Sequence, residues 1–115
     1  MSHDSTAGPL AGVRVLELGS MYAAPTAGRM LRDFGADVVK VEDPSQGDFA
    51  RQWQPAHEGL AIGFARLNAG KRSVGIDMRS EAGRDLVRRL VRETDVLIEN
   101  FRPGRMEAWG MSYKE

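Results

Sequence analysis

Residues 12–42 read GVRVLELGSMYAAPTAGRMLRDFGADVVKVE, and this stretch decides the fold. Val13, Arg14, Val15, Leu16, Glu17 and Leu18 form a short, mostly apolar run between Gly12 and Gly19, the pattern of a strand. Pro25 suits the first position of a helix, where a missing N–H costs nothing. Ala27, Met30, Leu31 and Phe34 follow at i, i+3, i+4 and i+7, which predicts one apolar helix face. Gly35 suits the left-handed residue that ends a helix. Residues 37–42 make a second strand, stopped by Pro44. Strand, helix and strand within about thirty residues make a βαβ unit. Its two strands are therefore expected to run parallel.

The same reading extends outward. Residues 45–59 fit neither helical nor strand periodicity and are expected to be a long loop. A short helix is expected over 60–67, and a strand over 71–78 with Val74 and Ile76 on one face. Ser80 suits an N-cap, with Glu81 in the favourable first turn. The helix over 81–93 then places Ala82, Leu86, Val87, Leu90 and Val91 on one stripe, and Asp85/Arg89 and Arg89/Glu93 at pairing distance. A strand over 96–101 is ended by Arg102, Pro103 and Gly104, and a further helix begins around Met106. The order predicts an α/β fold, a mostly parallel sheet with flanking helices. Residues 1–9, small and polar, are expected to be a disordered lead-in to one domain over 10–115.

Composition narrows the classes. A chain of 115 residues fits one domain. Sixteen basic and sixteen acidic residues cancel, so the basic excess expected of a duplex-binding protein is absent, and no nucleic-acid partner is expected. With no cysteine there is no disulfide, thiolate nucleophile or Cys-based metal site. Two histidines, His3 and His57, support neither a catalytic triad nor a metal cluster. No apolar run approaches the roughly twenty residues of a membrane span, so no membrane partner is expected and the cytoplasm is the expected location.

In an open α/β sheet, ligands bind beyond the C-terminal ends of the strands. Those ends are the segments 19–24, 42–48 and 100–104. The first leads directly into a helix N-terminus, where free N–H groups favour an anion or a polar carbonyl. It lacks the G-x-G-x-x-G of a dinucleotide site, which leaves an NAD-binding reading open on Glu42 alone. Residues 65–72 nearly match a phosphate-binding P-loop, but Ala65 and Arg72 stand where Gly and Ser or Thr belong, and the strand follows the motif instead of preceding it. Lys71 and Arg72 remain candidate anion contacts.

Several segments together carry a family resemblance: residues 12–18, Ala24–Pro25, residues 31–42, Gly47–Asp48 with Arg51, residues 67–74, and residues 95–104. Their order and spacing resemble the start of the family III CoA-transferases, a group that includes formyl-CoA transferase, carnitine CoA-transferase and alpha-methylacyl-CoA racemase. The resemblance implies the N-terminal part of a Rossmann-like large domain, incomplete here, that binds coenzyme A or acyl-CoA and needs no metal. It places Met21, Tyr22 and Ala23 near the pantetheine and thioester. It places Asp43 near the adenosine, although several relatives carry Arg at that position and a carboxylate repels phosphate. Ile76 and Arg79 belong to a stretch that lines the nucleotide, as do Asn100, Phe101 and Arg102, of which Arg102 is the leading phosphate contact. A further Arg of some relatives falls at Ala108 and is missing. The family's reaction transfers CoA between carboxylic acids through an aspartate nucleophile that forms an anhydride and then an enzyme thioester. That residue lies downstream of this stretch in relatives, so no catalytic residue is expected among residues 1–115. The resemblance also implies a homo-oligomer, or a complement with a downstream polypeptide. Apolar surface left uncovered would favour self-association.

Overall fold

The computed structural model describes residues 7–115. Most of the expected lead-in thus lies outside the described residues. Gly8 already packs against the chain, with its amide nitrogen 2.8 Å from a Cβ position at Gly35. Gly35 itself has φ +104, the left-handed conformation that ends the first helix.

The elements follow the expected order. β1 is Arg14–Glu17, α1 Ala23–Asp33 and β2 Asp37–Glu42. The expected loop holds a 3-10 turn, Phe49–Gln52, and a two-residue hairpin of β3 (Ala56–His57) and β4 (Leu60–Ala61). Left-handed Glu58 and Gly59 turn this hairpin. Then come α2 Ile62–Asn68, β5 Arg72–Gly75, α3 Glu81–Arg92, β6 Val96–Ile98 and α4 Arg105–Ala108. The last two strands end three residues earlier than expected.

β5, β2, β1 and β6 form one sheet in that order, and every pairing is parallel. Val15 lies between Val38 and Val96. Counting only these strands, the order is third, second, first, fourth, which is how a doubly wound sheet begins. Successive strands are added on one side of β1 as far as β5, and β6 is added on the other side. On one face Leu16, Leu18, Val41 and Ile76 pack against Val87 of α3 and Met106 of α4. On the other, Val15 and Val38 pack with Leu31 of α1. The result is a helix–sheet–helix sandwich.

Three local expectations are corrected. α1 starts at Ala23, so Pro25 is its third residue, still within the turn whose N–H groups lack helical acceptors. Its buried face is Ala24, Pro25 and Gly28, while Met30 and Phe34 are 57% and 52% exposed. Small residues are needed there because ionic side chains, described below, fill the space beneath the helix. On α3 the ion pairs are Arg84–Glu81 and Arg88–Asp85, both i,i+3, and Arg88–Glu81 at 3.2 Å, rather than pairs to Arg89. With its other guanidinium nitrogen Arg88 also donates to the carbonyl of Trp109 at 3.0 Å. Ser80 caps α3 as expected, its Oγ accepting from the Gly83 N–H at 3.0 Å.

Candidate functional site

Strand alternation sends Val15 and Glu17 of β1, and Val38, Lys40 and Glu42 of β2, to the α1 face of the sheet. That face is apolar at the N-terminal ends of the strands and ionic at the C-terminal ends. Glu17 and Lys40 are direct register partners and both are essentially inaccessible. A buried charge is costly unless paired and hydrogen-bonded. Glu17 meets Lys40 Nζ through Oε2 at 2.8 Å and Lys71 Nζ through Oε1 at 2.7 Å. Lys40 also donates to the Gly19 carbonyl at 3.1 Å and lies 2.8 Å from Asp48 Oδ2. Lys71 completes its shell with the Pro25 carbonyl and Asn68 Oδ1, both at 2.8 Å. Two lysines and two carboxylates therefore balance in charge. Burial pushes the Lys71 ammonium below the usual lysine range, and the Glu17 carboxylate works against that shift.

This cluster supports the turn after β1. Met21 has φ 68, an uncommon left-handed conformation for a residue with a side chain. Its N–H donates to Asp48 Oδ1 at 3.0 Å. Ser20 is held from the other side: its N–H donates to Asn100 Oδ1 at 3.0 Å, and Asn100 Nδ2 donates back to its carbonyl at 2.9 Å. Gly19 is required here because a Cβ would overlap the Asn100 amide and the Ala24 methyl.

Beside this turn, across the C-terminal ends of β1, β2 and β5, lies a cleft of about 210 Å³. Its wall is apolar: Leu18, Val41, Ile76, Met78, Phe101 and Trp109. Phe101 and Trp109 meet edge to face at 5.2 Å. Its lip is polar. Arg79 donates to Asp77 Oδ1 at 2.9 Å and stands 3.9 Å from Asp43 Oδ2. The Ser45 hydroxyl and N–H both donate to Asp43 and hold its carboxyl below the usual range. Arg79 does the same for Asp77. The arrangement offers a flat apolar slot for a planar ring and a cation at its mouth.

The cleft brings together Asp43, Ile76, Arg79 and Phe101 from the expected set. Asn100 stands at its edge as the Ser20 clamp. Met21, Tyr22 and Ala23 lie exposed on the adjoining turn, with Tyr22 stacked on Trp53 at 4.6 Å. Arg102 is exposed, and its guanidinium has no partner among the described residues. Lys71 and Arg72 stand elsewhere. All three Lys71 protons are taken inside the buried cluster. Arg72 starts β5, at the opposite end of the sheet, paired with Asp37 at 2.6 Å. Sequence reasoning missed Glu17, Lys40 and Trp109. For Glu17 and Lys40 the available signal was a charge set between apolar sequence neighbours, Leu16 and Leu18 around Glu17, Val39 and Val41 around Lys40. Among the described residues there is no cluster of metal-ligating side chains.

Glu42 carries a testable pH dependence. Burial raises its pKa, but donors from Arg51, the Asp48 N–H and Ser73 outweigh burial and hold it at about 2. The folded pKa lies below the unfolded value of 4.5, so its stabilisation is full above pH 4.5 and is lost as pH falls toward 2. A contribution on the order of 2–3 kcal/mol is expected to vanish over that window. Urea titrations should show Glu42→Gln with a flatter acid limb than the parent; parallel limbs would refute this.

The comparisons with known proteins agree with this geometry. The model of the CoA-transferase family III matches residues 10–115. Succinyl-CoA–D-citramalate CoA-transferase of Chloroflexus aurantiacus is 45% identical, over 100% of this chain and 29% of its own length. Succinate–glutarate CoA-transferase of Agrobacterium fabrum is also 45% identical, over 92% of this chain and 28% of its own. The crystal structure of a CaiB/BaiF family protein from Brucella suis superposes with a TM-score of 0.86 at 48% identity, covering 94% of this chain and 30% of that one. The chain thus spans about 30% of the length of the relatives it matches. Parallel sheet, strand-end cleft and matched residues lead to one assignment: the chain belongs to the CoA-transferase family III.

Proposed function

We propose that the cleft receives the nucleotide part of CoA or an acyl-CoA, as the binding portion of an enzyme that transfers CoA between carboxylic acids. The observation that carries this reading is the apolar slot at the C-terminal strand ends, walled by Ile76, Phe101 and Trp109 and opening beside Arg79. A purine fits such a wall by stacking and burial. The phosphates would then lie at the lip, toward Arg79 and the exposed Arg102, where a guanidinium matches phosphate geometry. The turn 21–23 lies where the thioester end would follow. The reacting aspartate is proposed to lie outside residues 1–115. Both curated relatives act on succinate or its CoA ester by name, which supports short dicarboxylates as the acids to test first. The whole protein is proposed to act in the cytoplasm, as a homo-oligomer or with a further polypeptide. Among the described residues, no helix is long and apolar enough to cross a membrane.

Calorimetric titration tests the assignment. CoA is expected to bind and NAD not to bind. Arg102→Ala is expected to weaken CoA roughly ten- to hundred-fold, the effect of losing about 1.5–3 kcal/mol of charged contact. Unchanged affinity would remove Arg102 from the site, and NAD binding without CoA binding would sink the reading.

A further inference from the structure

One carboxylate joins the buried ionic cluster to the wall of the cleft. Asp48 sits in the loop after β2 and its side chain is inaccessible. Oδ1 accepts from the N–H groups of Met21 and Ala50, at 3.0 and 2.9 Å. Oδ2 lies 2.8 Å from Lys40 Nζ, and the Asp48 N–H donates to Glu42 Oε2 at 2.8 Å. Asp48 lines the cleft, and its Oδ2 faces Lys40 as an ion-pair partner without a hydrogen bond of its own. Three parts meet at it: the turn after β1, the loop after β2, and the Lys40–Glu17–Lys71 chain.

The turn needs such a holder. Left-handed backbone at a residue with a side chain persists only where its surroundings over-determine it. Met21 has that conformation, and the Asp48 carboxylate accepts its N–H. One residue earlier, Asn100 clamps Ser20 from the edge of the cleft. Gly19 and Ser20 line the cleft itself. The charge of Asp48 matters as well as its oxygen. Lys40 and Lys71 bring two positive charges and Glu17 one negative, so Asp48 supplies the balance that keeps Lys40 in place.

We propose that Asp48 is a positioning residue for ligand binding. It holds the segment 19–21 in the shape that forms the cleft wall, acting through the Met21 amide and not by touching ligand. This rests on reading the cleft as the CoA site.

The test separates positioning from mere stability. Asp48→Ala removes both the Met21 acceptor and the counter-charge of Lys40. The double variant Asp48→Ala/Lys40→Met removes the orphaned ammonium too, and restores charge balance as a single Glu17–Lys71 pair. Melting temperature, CoA titration and near-ultraviolet circular dichroism of the Tyr22–Trp53 stack are measured for each. The double variant is expected to recover much of the melting temperature lost in Asp48→Ala. It is also expected to bind CoA at least tenfold more weakly than the parent and to show a diminished aromatic signal. Val38→Ala, at the N-terminal end of the strands, is expected to lower the melting temperature while leaving affinity and aromatic signal unchanged. A double variant that regains affinity together with stability overturns the proposal. So does Val38→Ala losing affinity in proportion to its stability. A parent chain that does not bind CoA defeats the functional reading instead. The aromatic signal then still decides on Asp48, because an unchanged signal in both Asp48 variants overturns its positioning role.

Discussion

Lys40→Met is expected to destabilise the chain by about 3–5 kcal/mol, the usual cost of removing one partner from a buried ion pair. Methionine roughly fills the volume, so packing is not what is lost. Asp48 and half of the Glu17 carboxylate are left without a cation in a site where neither reaches water. Glu17 and Lys40 are 0% and 1% exposed, so solvent cannot replace the missing charge. Total stability of a domain this size is only about 5–15 kcal/mol, so the variant stands near the limit of folding. The contrast is Arg72→Met. Arg72 and Asp37 are as close, at 2.6 Å, but their side chains are 69% and 51% exposed. Exposed pairs contribute only about 0–1 kcal/mol. Urea unfolding of both variants checks the claim: a loss below about 1 kcal/mol for Lys40→Met would mean that the cluster relaxes or hydrates. The cost measures a broken pair; an apolar replacement of the whole cluster need not be destabilising.

Gly28→Ala sets two rules in opposition. In a helix interior, alanine is better than glycine by about 1 kcal/mol, which alone predicts a more stable protein. Gly28, however, lies directly over Glu17. A Cβ there would overlap Oε1 and approach Lys71 Nζ to 3.2 Å. A flexible surface carboxylate would swing aside. This one is held by both lysines and has no free volume to enter. The methyl group must lift α1 or displace Glu17 from its partners. Overpacking costs about 1–3 kcal/mol, and loosening the ion pairs adds to it. A net loss of about 2–4 kcal/mol is expected, so sterics outweigh propensity. Introduced beside Glu17→Gln, the same change should cost less than the single effects summed, because the two residues share one space. A neutral or stabilising Gly28→Ala would show that α1 does not press on Glu17.

Much of the architecture was legible in residues 12–42, because periods of two and of 3.6 residues and terminal glycines are local properties. The parallel sheet, the helix order and the Ser80 cap all follow from such signals. Element ends were less legible: β5 and β6 stop early because the later residues leave the ladder to form the cleft wall. Helix faces were partly misread. A hydrophobic stripe marks a core face only when the surface opposite is also apolar, and under the first half of α1 it is ionic. The cleft was locatable in outline, since strand ends and segment order pointed there. Lys71 and Arg72, adjacent and alike in sequence, proved to have opposite surroundings. One is enclosed by Glu17, Pro25 and Asn68, and the other pairs with Asp37 at the far end of the sheet.

The sequence by itself determined the parallel α/β order, the turns that end the main strands and helices, and the strand ends at which the cleft lies. Those depend on backbone preference and on periodicity over a few neighbours. Only the tertiary structure decided what Glu17, Lys40, Asp48 and Lys71 do. In sequence they are four unremarkable charges spread over 54 residues. Folding removes them from water, and a charge without water must find a partner. The register of β1 on β2, the absence of a side chain at Gly28 and the loop that delivers Asp48 supply those partners. In doing so they hold the turn that borders the cleft.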